Sequence, residues 1–243
     1  SYFVIDTDFN LSATGVIRLG TSEPGAEIYD VGFQFNQANQ GVRASCTQYP
    51  PAIDGDAIPR FMVDRVRIEG AWDGISVIGN SGGCRIGFIE VGALNVGVDM
   101  DGSADFVHTG EWHFWPFGFT NKSTLLNGVY YDNTTIGARF GLMDGLNVGS
   151  VAMFRCYMHI KSNATTGIPN TFKTIKCDGD GARLLIEGGL NTIGSLYSTK
   201  SGASTVNSIN CTSGATTIAD YQQVGLNPLT DIVVAGGALR IAG

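Results

Sequence analysis

The sequence contains no apolar run near the ~20 residues that span a bilayer, and its first residues, SYFVIDTDFN, lack the charged and apolar regions of a secretory leader. Membrane insertion is therefore not expected. Heptads and long Ala/Glu/Lys/Leu runs are also missing, which argues against a helical bundle or coiled coil. Charge is scarce. Only 15% of residues are charged, and 15 Lys and Arg stand against 22 Asp and Glu for a net charge of −7. Phosphate binding needs clustered cations, and here they are scattered, so a nucleic-acid partner is excluded. The five cysteines, Cys46, Cys84, Cys156, Cys177 and Cys211, are odd in number and far apart, with no C-x-x-C. That speaks against zinc or a disulfide framework and for reduced thiols packed as small hydrophobes. No G-x-S-x-G elbow, H-E-x-x-H or phosphate loop is present. The chain also lacks an initiating Met, which suggests a processed product or an excised piece.

What the chain has is glycine and pattern. Its 243 residues include 34 Gly and are 43% hydrophobic, enough for a single domain over residues 1–243 with a real core. VDRVRIEGAWDGISVIG (63–79) and IGFIEVGALNVGVDMDG (86–102) follow one template. Val63 matches Ile86, Val66 matches Ile89 and Ile68 matches Val91, then Gly74 matches Gly97, Ile75 Val98, Val77 Met100 and Gly79 Gly102. A third copy starts at Thr109 (TGEWHFWPFGF), with Gly110 under Gly87, Trp112 under Ile89 and Phe114 under Val91. VGSVAMF (from Val148) and IGSLYS (from Ile193) continue it at longer spacings, so loops or whole extra turns intervene. Apolar and inward positions repeat while polar ones do not.

Each unit alternates apolar and polar residues over four to six positions and then reaches Gly, Asn or Asp, which predicts short strands separated by turns. A period of roughly 20–25 residues predicts a solenoid: leucine-rich repeats would show Leu and Asn at fixed offsets, and propeller blades would be about twice as long. The fold class is therefore all-β, a coil of roughly 23-residue turns whose strands stack on those of the turn before. The segment 37–58, with Pro50-Pro51, reads as a loop excursion from it. The chain stops on LRIAG without an obvious cap, which predicts truncation or self-association.

The V-x-V-x-I-x-G-A-x-x-G-I-x-V-x-G run, its constant offset and the stacked glycines resemble the right-handed parallel β-helix of pectate-lyase-like proteins. Within that group the chain most resembles the receptor-binding tailspikes and depolymerases of bacteriophages, on its low charge, its Gly/Ser/Thr/Asn-rich turns and its outer aromatics. The resemblance implies a homotrimer on a virion tail, made in the bacterial cytoplasm, that binds bacterial surface polysaccharide (capsule or O-antigen) and cleaves it as a glycoside hydrolase without a cofactor. A non-catalytic adhesive spike and a polysaccharide lyase are the alternatives.

Alternation projects two outward surfaces. On the first, Arg67 and Glu69 are followed one turn on by Glu90, then by Glu111, His113 and Trp115. Glu90 and Glu111, one strand apart and two residues along, have Cα atoms roughly 8 Å apart. Inverting glycosidases hold their carboxyls ~6.5–9.5 Å apart, so this pair is a catalytic candidate, with Arg67, His113, Trp115 and Trp72 as sugar-binding residues. A plain surface ladder in which Arg67 pairs with Glu90 is the alternative. On the second surface Asp99 and Asp101 point outward. If GVYYDN (128–133) is the next strand, after an eight-residue bulge, Tyr130 stands by Asp99 and Asp132 stands ~4.8 Å from Asp101. That cluster is a second catalytic candidate, with Tyr130 as a substrate contact. A Ca²⁺ site is possible there but not favoured, and Asx turns are the structural alternative.

Overall fold

The computed structural model describes residues 1–6, 9–20, 25–37, 43–79, 82–102, 107–115, 133–161, 168–200, 206–225 and 232–242. Among them the only helical element is a 3₁₀ turn, Arg43–Ser45, and the strands pair in parallel throughout. None of the described helices is long and apolar enough to cross a membrane.

Two sheets run the length of the coil, one of 12 strands and one of nine. Each rung contributes a long strand to the first sheet and a short one to the second. The long strands are β1 (Tyr2–Ile5), β3 (Glu27–Phe35), β5 (Met62–Glu69), the split pairs β7 (Arg85–Ile86) with β8 (Ile89–Gly92) and β10 (Val107–Thr109) with β11 (Glu111–Phe114), then β13 (Leu146–Phe154), β15 (Asn170–Asp178), β17 (Leu190–Thr199), β19 (Ala215–Val224) and β21 (Ala238–Ile241). The short strands are β2 (Ile17–Arg18), β4 (Ile53–Asp54), β6 (Asp73–Ile78), β9 (Val96–Asp101), β12 (Ile136–Phe140), β14 (Tyr157–Ile160), β16 (Arg183–Ile186), β18 (Ile209–Cys211) and β20 (Ile232–Val234). The expected all-β parallel solenoid is what the chain forms.

The repeat template holds residue by residue. Val63 lies beside Ile86, Ile68 beside Val91, Ile75 beside Val98 and Val77 beside Met100. Phe114 continues the Val91 column, and Met153 and Cys177 extend it. On the second sheet Ile17, Ile53, Ile75, Val98, Ala138, Met158, Leu184, Ile209 and Ile232 form one column along the coil. Burying each such Ile, Leu or Val contributes about 1.5–3 kcal/mol. That is why the inward sequence is constrained while the outer one drifts. The step from Val148 to Ile193 contains a whole extra rung, with Phe172 of β15 between them.

One regularity went unread in the sequence. Inward residues of the long strands are separated by three positions at a fixed point: Val63 and Val66, Ile86 and Ile89, Val148 and Val151, Phe172 and Ile175, Ile193 and Leu196, all buried. A strand alternates with period two, so two consecutive residues between inward ones turn the backbone. The pairing skips this point, passing from Tyr29–Asp64 to Val31–Val66 and from Val148–Phe172 to Ser150–Thr174. Asp30 and Arg65 sit there at positive φ, 54° and 51°. The long sheet thus bends into two walls, and the coil has three: the first halves of the long strands, their second halves, and the short strands.

The cysteines are free and buried, as expected. Burial pushes the Cys84 thiol up to about 12 and raises Cys156 further. The excursion is shorter than the 37–58 expected, because Ile53–Asp54 is strand β4 and Tyr49, Ala52 and Ile58 are buried in the core. A two-residue strand shows no alternation, which hid it.

Candidate functional site

The second wall carries the first candidate surface. Its outward column runs Arg67, Glu90, His113, Ala152 and Lys176, each directly beside the next. Glu111 stands two residues before His113 and pairs onward with Ser150, so its neighbour on the preceding rung is Phe88. Glu90 and Glu111 are thus one rung and two residues apart, as the alternation predicted. The Glu90 side chain is 43% exposed, and Glu111 is exposed. Phe88 and His113 rings lie 5.8 Å apart, and Trp115, 37% exposed, packs against Phe154 of the next rung at 5.1 Å. Trp112 and Phe114 instead point inward and are fully buried. The Trp112 ring stacks on Phe140, and its Nε1 donates to Ile86 O at 3.2 Å.

Beside Glu90 lies a shallow depression of about 390 Å³ lined by Arg65, Val66, Arg67, Phe88 and Glu90. The Arg67 Nε lies 2.6 Å from a Glu69 carboxylate oxygen and 3.5 Å from one of Glu90. Glu69 was expected to face solvent. It takes the outward register, yet it is 6% exposed, covered where it meets Arg67.

The third wall carries Asp99 and Asp101 beside Ser76 and Ile78, as projected. Its next strand is different from the expected one. β12 is IGARF, and the residue beside Asp99 is Arg139, 40 positions along the chain. The chain insertion before β12 is therefore longer than eight residues, which sequence spacing alone had no means to fix. Arg139 donates to both Asp99 carboxylate oxygens, through Nε at 2.7 Å and through Nη2. This pairing raises the Arg139 pKa. Asp101 Oδ1 accepts the Leu142 backbone N–H at 2.8 Å. Both aspartates thus have structural partners in a polar ladder. Tyr130 and Asp132 lie outside the described residues. Among the described residues no group of three or more His, Cys, Asp or Glu is placed to hold a metal ion.

Asp73 opens the same wall. It accepts from Asn95 Nδ2 at 2.8 Å and from the Val96 N–H at 3.1 Å, while burial raises its pKa. The adjacent Trp72 is half-buried against the core, with the Arg43 guanidinium 6.0 Å from its ring centroid. Arg43 comes from the excursion and reaches across rungs to Leu94 O and, at 2.7 Å, to Thr135 Oγ1. Trp72 is therefore no open sugar platform: a cation takes one of its faces.

Sequence reading missed Arg139 and the Tyr157–Arg183 pair, which sit on strands of four or five residues flanked by irregular spacing. Phe154 faces outward beside Trp115, as alternation along VGSVAMF projects. No family model, curated protein or solved structure matches this chain.

Proposed function

We propose that this β-solenoid is a tailspike-type protein of a bacteriophage, a right-handed, homotrimeric coil that binds bacterial surface polysaccharide and hydrolyses it at the Glu90–Glu111 pair. The parallel β-helix is consistent with the tailspike and pectate-lyase-like classes. The single observation that carries the reading is the register of β8 and β11, which sets two exposed carboxylates one rung and two residues apart. Their separation, roughly 8 Å at the Cα atoms, leaves room for a water molecule, as inversion requires. One carboxyl would protonate the leaving oxygen while the other activates that water. Trp115 and Phe154 offer a stacking surface for the sugar beside the pair, and His113 and Arg67 supply hydrogen-bonding groups next to the apolar depression at Phe88. Asp99 and Asp101 drop to a structural role because each already has a partner.

A second reading, a non-catalytic adhesive spike, is favoured by one contact: Arg67 lies within ion-pair distance of Glu90, as in a simple surface ladder. Purified protein incubated with capsular and O-antigen polysaccharides separates the two. Hydrolysis yields new reducing ends, and Glu90→Gln or Glu111→Gln lowers their release by about 100-fold or more while binding persists. Binding without new ends in the wild-type protein supports the adhesive reading, and unsaturated uronate absorbance dependent on Ca²⁺ a lyase.

A further inference from the structure

Arg183 opens β16 and lies directly beside Tyr157 of β14, with both side chains on the outer side of the third wall. Its guanidinium carbon sits 4.3 Å from the Tyr157 ring centroid, against 5.6–6.0 Å for the other arginine–aromatic contacts among the described residues. A guanidinium has five N–H donors. Among the described residues one is engaged, Nη1 to Asn133 O at a long 3.4 Å. Among the described residues no carboxylate pairs with Arg183. This contrasts with Arg139 on the same wall, held by Asp99, and with Arg65, held by Asp30 and Asp64. Burial lowers the Arg183 pKa, as expected for a cation removed from water without an anion to replace it. The residue is still part-exposed, so a ligand can reach it.

A partly desolvated, ring-stacked guanidinium with unused donors is a standing demand for an oxyanion. Arginine meets a planar carboxylate through two parallel N–H···O bonds, and stacking on an aromatic fixes the plane of that fork beforehand. The protein's net charge of −7 repels polyanions in general, so an acidic glycan needs a local cation of this kind to dock. Next along the wall, His159 is taken by Glu187 at 2.7 Å, while Lys161, exposed two residues further, adds a second positive charge.

We infer that Arg183, held over the Tyr157 ring, is the subsite for the carboxylate of an acidic sugar, so that the polysaccharide bound by this coil carries uronic or related acid units. This rests on the glycan-binding reading above and names its substrate class.

The test is ligand titration of the full chain by NMR with three small probes: sodium glucuronate, glucose 6-phosphate and glucose. The inference predicts saturable glucuronate binding in the millimolar range, at least tenfold tighter than glucose and tighter than the phosphate. Arg183→Gln abolishes that preference, and Arg183→Lys weakens it by several-fold, with unchanged melting curves. Equal binding of glucuronate and glucose, a preference for the phosphate, or an unaltered preference in a folded Arg183→Gln variant would overturn it. If Arg183→Gln unfolds, Tyr157→Leu, which removes the platform and leaves the charge, must weaken glucuronate binding for the inference to stand. A separate arm compares capsular polysaccharide with its carboxyl-reduced form. Glucuronate bound at Arg183 with neither polymer bound would sink the tailspike reading and leave the subsite intact. Both polymers bound equally would sink the subsite and leave the tailspike reading intact.

Discussion

Glu111 and Asp99 carry the same functional group in opposite circumstances. Asp99 is locked to Arg139 with its side chain 12% exposed, whereas Glu111 stands exposed at the start of β11. Asp99→Asn should therefore lower stability by about 1–2 kcal/mol, less than a fully buried pair would lose because Arg139 is partly solvated, and leave glycan cleavage intact. Glu111→Gln should do the reverse, changing stability by no more than about 0.5 kcal/mol while removing cleavage. Urea unfolding and reducing-end assays on the two variants check this crossed pattern. Asp73 gives a pH prediction. Burial raises its folded-state pKa, so the folded protein holds that proton after the unfolded chain, with a carboxyl near 3.9, has released it. Stability from this group is complete below the unfolded value and is lost as pH rises through the folded one. Asp73→Asn keeps an oxygen for the Asn95 and Val96 donors. Its stability relative to wild type should climb across that window and level off above it, as denaturation at a series of pH values would reveal.

At the scale of strands, glycine stacking is what lets consecutive short strands close up. A Cβ at Gly97 would stand 2.5 Å from Gly137 O and 2.6 Å from the Phe114 ring, and one at Gly74 would stand 2.3 Å from Gly97 O. Gly97→Ala should cost about 1–3 kcal/mol as an overpacked site. Gly20→Ala, with nothing within 4 Å of the added methyl, should be near neutral by thermal melting. These strand-level contacts also explain what could be read from the sequence. β5 to β9 were legible because two rungs repeat without insertion, so apolar columns and the Gly74–Gly97 stack align at a constant offset. β12 was not legible, because a long insertion destroyed the offset and its IGARF pattern has only one outward residue of note. The consequence for the site is direct. The Glu90–Glu111 pair lies on the well-repeated rungs and was found, while the expected partner of Asp99 was read from the wrong segment. The bend between the first two walls was written in the sequence as a recurrent three-residue spacing of apolar residues, which looks like noise when only period-two alternation is sought.

For the whole molecule, winding is what turns a linear sequence into a surface: residues 23 positions apart share one outer wall, and the chemistry proposed for Glu90 and Glu111 depends on it. Cysteine pairs test this most directly. Glu90→Cys with His113→Cys joins positions directly opposite on parallel strands, about 4.8 Å apart and within disulfide reach. Ile78→Cys with His113→Cys joins positions on two different walls. Mild oxidation followed by proteolysis and mass spectrometry should give a 90–113 disulfide in high yield and essentially none at 78–113. Absence of the 90–113 link, or equal yields from both pairs, would contradict the stacked register and with it the assembly of the carboxylate pair.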